Sequence, residues 1–162
     1  MRAAEQAADE GPEPLKLLLR DLKDQVGRHL GYSGWRLIDQ ARVDDFAEVT
    51  EDDQWIHVDR QRAALGPFKT TIVHGYLTLS LAPVLLDEVL VVEGCSRVIN
   101  YGLDYLRYPA PLAVGSAVRM GVELAQLKDI PGGVQATLRC VFEAEGEVKP
   151  CCVAEILFRY YE

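Results

Sequence analysis

The chain has 162 residues, 49% of them hydrophobic and 26% charged, which suits one domain of ordinary size that buries a core without metal or disulfides. A formal charge of −8 argues against a nucleic-acid binder, whose affinity rests on clustered Lys and Arg. Four cysteines (Cys95, Cys140, Cys151, Cys152) without a C-x-x-C pair, and three histidines, give no zinc spacing, so a metal site is not expected.

Met1 to Pro14 is Ala/Glu-rich, lacks the basic start and apolar run of an export signal, and reads as a flexible tail before a domain over 15–162. With no secretory segment in view, the cysteines are expected to be reduced thiols in a cytoplasm. Leu15, Leu18, Leu19, Leu22, Val26 and Leu30 have the spacing of one helical face, with Gly31 as the stop, and predict a surface helix over 15–30. A short strand is expected in 34–40 and a helix in 43–49. The polar stretch 50–71 reads as a loop with a short helix over 59–65, which Asp59 starts and Gly66-Pro67 breaks.

From His74 to Leu90 the chain is apolar almost all round, which predicts a long helix inside the core, kinked or weakened at Pro83. Its longest uncharged apolar stretch, 75–86, falls short of the ~20 residues a membrane span needs. From Cys95 onward the period changes to two. Val118, Met120, Val122 and Leu124 form one inward face; Val134, Ala136, Leu138, Cys140, Phe142 and Ala144 a second; and Cys152, Ala154, Ile156, Phe158 and Tyr160 a third. Pro131-Gly132-Gly133 and Glu145-Gly146-Glu147 supply hairpin turns. Four antiparallel strands with one bare face need a cover, and the 74–90 helix is the segment apolar enough to give it. The expected class is α+β: an antiparallel sheet wrapped around a long central buried helix.

Chemistry concentrates in residues 44–83, DDFAEVTEDDQWIHVDRQRAALGPFKTTIVHGYLTLSLAP, where Asp52 and His57 sit in the polar loop and His74-Gly75 heads the buried helix. This stretch resembles the MaoC-like hydratases and dehydratases of the hot-dog fold, which include (R)-specific enoyl-CoA hydratases. Their pattern runs Gly-Asp-x-Asn-Pro-(Ile/Leu)-His and then (Ile/Val)-x-His-Gly. Asp52 and His57 fall on the family's catalytic pair, Ile72-Val73-His74-Gly75 on its second element, and Phe68 on the aromatic between them. The resemblance extends from about Asp44 to Arg119, including Asn100-Tyr101-Gly102 and Tyr108-Pro109-Ala110-Pro111. Glu51, Gln54 and Trp55 depart from the family's Gly, Asn and Pro, in the manner of a bacterial subgroup related to nodulation protein N; Pro83 stands where some relatives carry a polar residue.

The resemblance implies hydration of trans-2-enoyl-CoA to (3R)-3-hydroxyacyl-CoA, or the reverse, without cofactor. A carboxylate and an imidazole can grip one water and exchange its proton, the roles given to Asp52 and His57. The backbone N–H of Gly75, at a helix N-terminus, is the expected donor to the thioester oxygen, its lack of a side chain letting the substrate approach. His74 is expected to orient, and His74, Phe68 and Asn100 to line the substrate site. Other readings are a 3-hydroxyacyl-ACP dehydratase, an acyl-CoA thioesterase and a non-catalytic acyl-thioester binding protein. Exposed sheet edges, together with the family's habit of pairing sheets across a two-fold, imply a homodimer acting on acyl-CoA or acyl-ACP.

Overall fold

The computed structural model describes residues 13–162, so most of the expected tail, residues 1–12, lies outside them. The chain opens with strand β1 (Leu15–Leu18), a 3₁₀ turn (Leu19–Gln25) and strand β2 (His29–Tyr32). The surface helix expected over 15–30 is therefore absent. Leu19 and Leu22 are buried, but their spacing of three fits a 3₁₀ turn as well as an α-helix. Flanking backbone is claimed by other chain segments: β1 pairs in parallel with β4 (Leu90–Glu93), and β2 pairs antiparallel with β6 (Ala117–Ile130). Gly27, at φ +79°, breaks the helical run between them.

Of the short strand expected over 34–40, β3 keeps two residues (Arg36–Leu37), which also pair with β6, while Gln40 already belongs to a helix. Helix α1 (Gln40–Thr50) follows, capped where the Asp39 carboxylate accepts from the Arg42 N–H at 3.0 Å. Then come α2 (Trp55–Val58) and α3 (Arg60–Leu65); Asp59 caps α3 through the Arg62 N–H at 2.9 Å, as the sequence suggested.

The central helix is two pieces, α4 (Gly75–Ser80) and α5 (Ala82–Asp87), meeting at Leu81. Pro83 is the second residue of α5, where a missing N–H costs nothing because a helix start has no carbonyl to meet it. The helix also ends three residues earlier than expected, since Leu90 begins β4. Leu77, Ala82, Leu85 and Leu86 face the core, whereas Tyr76 is 67% exposed and Val84 44%. A helix apolar all round thus has one side that this chain alone leaves uncovered.

The remaining strands are β5 (Arg97–Arg107), β7 (Gly133–Ala144) and β8 (Cys152–Tyr161). The main sheet runs β2-β6-β7-β8-β5. Hairpins join β6 to β7, through Pro131-Gly132, and β7 to β8, as expected. β5, in contrast, crosses to the far edge and pairs with β8 rather than with its successor. The inward faces read from the alternation are almost wholly buried, from Val118, Met120, Val122 and Leu124 through Phe142 to Ile156; Val134 is half-buried. At about 1.5–3 kcal/mol for each large apolar side chain, this face and the helix laid on it are the main source of stability. The result is a hot-dog fold, α+β, with the sheet curled around the α4–α5 helix.

Candidate active site

Asp52 and His57 are placed by α1, expected over 43–49, and by the single turn α2, which was expected only as part of the polar loop. α1 ends at Thr50, and Glu51 turns the chain with φ +61°, the left-handed conformation that glycine adopts freely. That conformation explains why the family pattern has Gly here. Gln54 and Trp55, the other departures, take the N-cap and first position of α2, where proline would have served equally. Trp55 instead packs under the Arg62 guanidinium, 4.5 Å from its ring centroid, and against Gly66.

His57 is buried at 8% exposure. Its Nδ1 lies 2.7 Å from the Ile72 carbonyl, and the two segments are further joined where the Ile72 N–H donates to the Ile56 carbonyl at 2.9 Å. A carbonyl only accepts, so Nδ1 carries the hydrogen and Nε2 keeps a free lone pair. Burial, the largest influence, holds the His57 pKa below its ordinary 6.5; the Ile72 carbonyl and Asp52 oppose the shift, and His74 adds to it. The ring is therefore a neutral base at pH 7.

His74 is the N-cap of α4 and only 2% exposed. By the same argument its Nε2 donates to the Asp52 backbone carbonyl, at 2.9 Å, and its Nδ1 has no hydrogen-bond partner. The two imidazoles stack with centroids 3.8 Å apart, and Phe46 backs the outer one at 5.0 Å. His74 thus holds the main chain of Asp52 with one edge and supports His57 with one face. The Asp52 side chain is exposed, and one of its oxygens lies with one ring nitrogen from each histidine inside a 4.8 Å cluster. Three such groups could in principle ligate a divalent ion. Each ring, however, has one nitrogen committed to a backbone carbonyl, so each has one nitrogen left to offer.

A cavity of about 310 Å³ opens beside His57 and the start of α4; Phe68, Gly75, Thr78, Tyr108 and Cys151 help line it. A Cβ on Gly75 would meet the Tyr108 ring at 2.8 Å. A neighbouring ring thus favours glycine at this position. Burial pushes the Tyr108 hydroxyl pKa upward, and raises the Cys151 thiol to about 11, so both are neutral walls. His57, Gly75 and Phe68 therefore share one cavity, whereas Asp52 and His74 do not line it and meet His57 through the three-residue cluster. Asn100 does not join them: it lines a second cavity of about 330 Å³ with Pro83, Leu86, Phe158 and Tyr160.

Sequence reading missed Gln40, Thr71 and Tyr108. Gln40 was detectable, because with Val43 and Ala47 it falls on the buried face of α1, where a polar side chain needs a partner.

A hot-dog domain that clusters a carboxylate with a neutral imidazole at the start of its central helix has the groups a hydro-lyase uses. The profile of the MaoC like domain matches residues 21–140, and the chain belongs to that family. It is 49% identical to the 3-hydroxyacyl-thioester dehydratase Z of Mycobacterium tuberculosis (strain ATCC 25618 / H37Rv) over 141 residues, covering 86% of this chain and 93% of that protein. It is 36% identical to nodulation protein N of Rhizobium leguminosarum bv. viciae, covering 86% and 88%. Among solved structures, the (R)-hydratase from A. caviae involved in PHA biosynthesis superposes with a TM-score of 0.68 at 29% identity, covering 82% of this chain and 94% of that one.

Proposed function

We propose that this protein catalyses the reversible addition of water to trans-2-enoyl-CoA, giving (3R)-3-hydroxyacyl-CoA. What supports this reading most is the hydrogen bond of His57: Nδ1 lies 2.7 Å from the Ile72 carbonyl, which leaves Nε2 as the free base on a ring that lines the cavity and clusters with the Asp52 carboxylate. The relatives named for 3-hydroxyacyl-thioester dehydration and (R)-hydration support it.

In the hydration direction, Asp52 and His57 hold one water. Its oxygen bonds to C3 of the enoyl group as His57 Nε2 takes a proton, negative charge moves to the thioester oxygen, and a proton is returned to C2. The N–H of Gly75, in the first turn of α4, meets that oxygen, aided by the helix dipole. Phe68, Thr78 and the Tyr108 ring confine the acyl group next to the reacting carbons. His74 fixes the Asp52 main chain and takes no proton.

The assembly we propose is a homodimer joined through β5. This strand is an edge of the sheet, and Val98, Ile99, Tyr101, Leu103 and Tyr105 along it are exposed, an apolar edge that invites a second strand. Tyr76 and Val84 continue the uncovered surface onto the central helix. The four unpaired thiols fit action in the cytoplasm.

The test is a spectrophotometric assay with crotonyl-CoA and longer enoyl-CoAs. The conjugated enone absorbance is expected to fall, without release of free thiol, and Asp52→Asn and His57→Ala should each abolish the change. Thiol release in place of hydration, or full turnover in both variants, would overturn the assignment.

A further inference from the structure

Gln40, at the start of α1, has a buried side-chain amide whose two hydrogens and whose oxygen are all engaged. Its Nε2 donates to the His57 carbonyl at 2.8 Å and to the Asp44 carboxylate, also at 2.8 Å. Its Oε1 accepts from the Thr71 hydroxyl at 2.7 Å. The amide cannot be reversed, because its oxygen would then face a carbonyl and a carboxylate, neither of which can donate.

The partners form a closed circuit. Gln40 holds the main chain of His57 on one side and the side chain of Thr71 on the other; Thr71 is bonded covalently to Ile72, and the Ile72 carbonyl receives the His57 ring N–H at 2.7 Å. Amide, hydroxyl and main chain thus fix the distance between the imidazole and the carbonyl that sets its tautomer. α2 is a single turn of four residues and holds itself weakly, so its placement depends on such ties.

We propose that Gln40, acting with Thr71, is a positioning residue that locks the His57 imidazole in its Nδ1–H form with Nε2 turned to the cavity. This rests on the reading above that His57 is the base. Gln40 touches no reacting atom. Its removal leaves the His57 carbonyl and the Thr71 hydroxyl without their partner and loosens the segment that presents the Ile72 carbonyl, and a base misplaced by about 1 Å can lose about 100-fold in rate.

The experiment reads the ring directly. Long-range proton–nitrogen correlation spectra on ¹⁵N-histidine-labelled, substrate-free protein report the tautomer of each imidazole, and with three histidines in the chain a His57→Gln spectrum identifies the signals of His57. The full-length protein is expected to show His57 in the Nδ1–H form. In Gln40→Leu it should show a mixture containing Nε2–H, with kcat for enoyl-CoA hydration reduced about 10- to 100-fold and KM changed less than about threefold. Thr71→Val, which cuts one arm and leaves the His57 carbonyl held, should give a smaller shift in the same direction and decides the matter if Gln40→Leu does not fold. An unchanged tautomer in both variants, or an unchanged tautomer with normal kcat in whichever folds, overturns the proposal. Because the spectra need no substrate, a wild type inactive toward every enoyl-CoA would count against the assigned reaction and leave the test of Gln40 readable.

Discussion

A Cβ built on Gly75 lies 2.8 Å from the ring of Tyr108, well inside the distance at which carbon atoms touch. Tyr108 follows β5 and lies over the first residue of α4, its ring meeting Tyr76 edge-on at 6.4 Å, so a Cβ at residue 75 must displace that ring. Gly75→Ala should therefore cost about 1–3 kcal/mol of stability, the usual penalty of overpacking. Adding Tyr108→Ala should recover part of that loss, a coupling that urea denaturation of the single and double variants would measure. Additive effects would show that the ring is not the obstacle.

The depressed pKa of His57 predicts the acid limb of both rate and stability. The neutral ring is the working base, so hydration should be flat near neutrality and fall only as pH drops through the folded-state pKa, below 6.5. For stability the sign is the same. Between the folded pKa and 6.5 the unfolded chain binds a proton that the folded protein does not, so stability is complete above 6.5, declines as pH falls across that window, and levels off below it. Urea midpoints against pH should show this decline reduced in His57→Gln; identical profiles would exclude His57 as its source.

At residue 51, Glu51→Gly replaces a side chain held at φ +61° by the residue that tolerates this conformation best. Relief of the left-handed strain, about 1–2 kcal/mol, is partly offset by the entropy that glycine loses on folding, about 0.5–1 kcal/mol. Thermal unfolding should show a variant at least as stable as the parent, with turnover unchanged. A clearly less stable Glu51→Gly protein would mean that the Glu51 side chain makes up for its own strain.

Leu103 tests the assembly. It sits on the exposed apolar edge of β5, and Leu103→Lys puts a charge where an added strand would have to desolvate it. Sedimentation should find the parent at twice the mass of one chain and the variant shifted towards a single chain. A parent that sediments as one chain at high micromolar concentration would dispose of the dimer.

Legibility in the sequence followed burial. The inward faces of β6, β7 and β8 could be read because Val118 to Leu124, Ala136 to Ala144 and Cys152 to Tyr160 alternate against a continuous core, and side chains on a strand must choose one face or the other. The 15–30 segment misled because Leu15 to Leu30 owe their fold to partners about 75–100 residues away in β4 and β6, which local spacing does not register. In the candidate site, Asp52, His57 and Gly75 stood out through a resemblance that names residue types. Gln40, Thr71 and Tyr108 act by contact across the fold, and nothing in the spacing of residues 40, 71 and 108 brings them near His57 or Gly75. Asn100 was attached to the site through its place in the strand, yet the crossover of β5 to the far edge sets it on another cavity.

His74 grips Asp52 by its main-chain carbonyl, and Ile72 offers its own main-chain carbonyl to His57. Neither bond depends on which side chain stands at 51, 54, 55 or 72. The loop can therefore drift in sequence, as it has at Glu51, Gln54 and Trp55, while the carboxylate and the imidazole stay where they are. For an engineer, positions 51, 54 and 55 form a border that can be rewritten around a fixed pair, while a search for new substrates belongs to the residues that line the cavity.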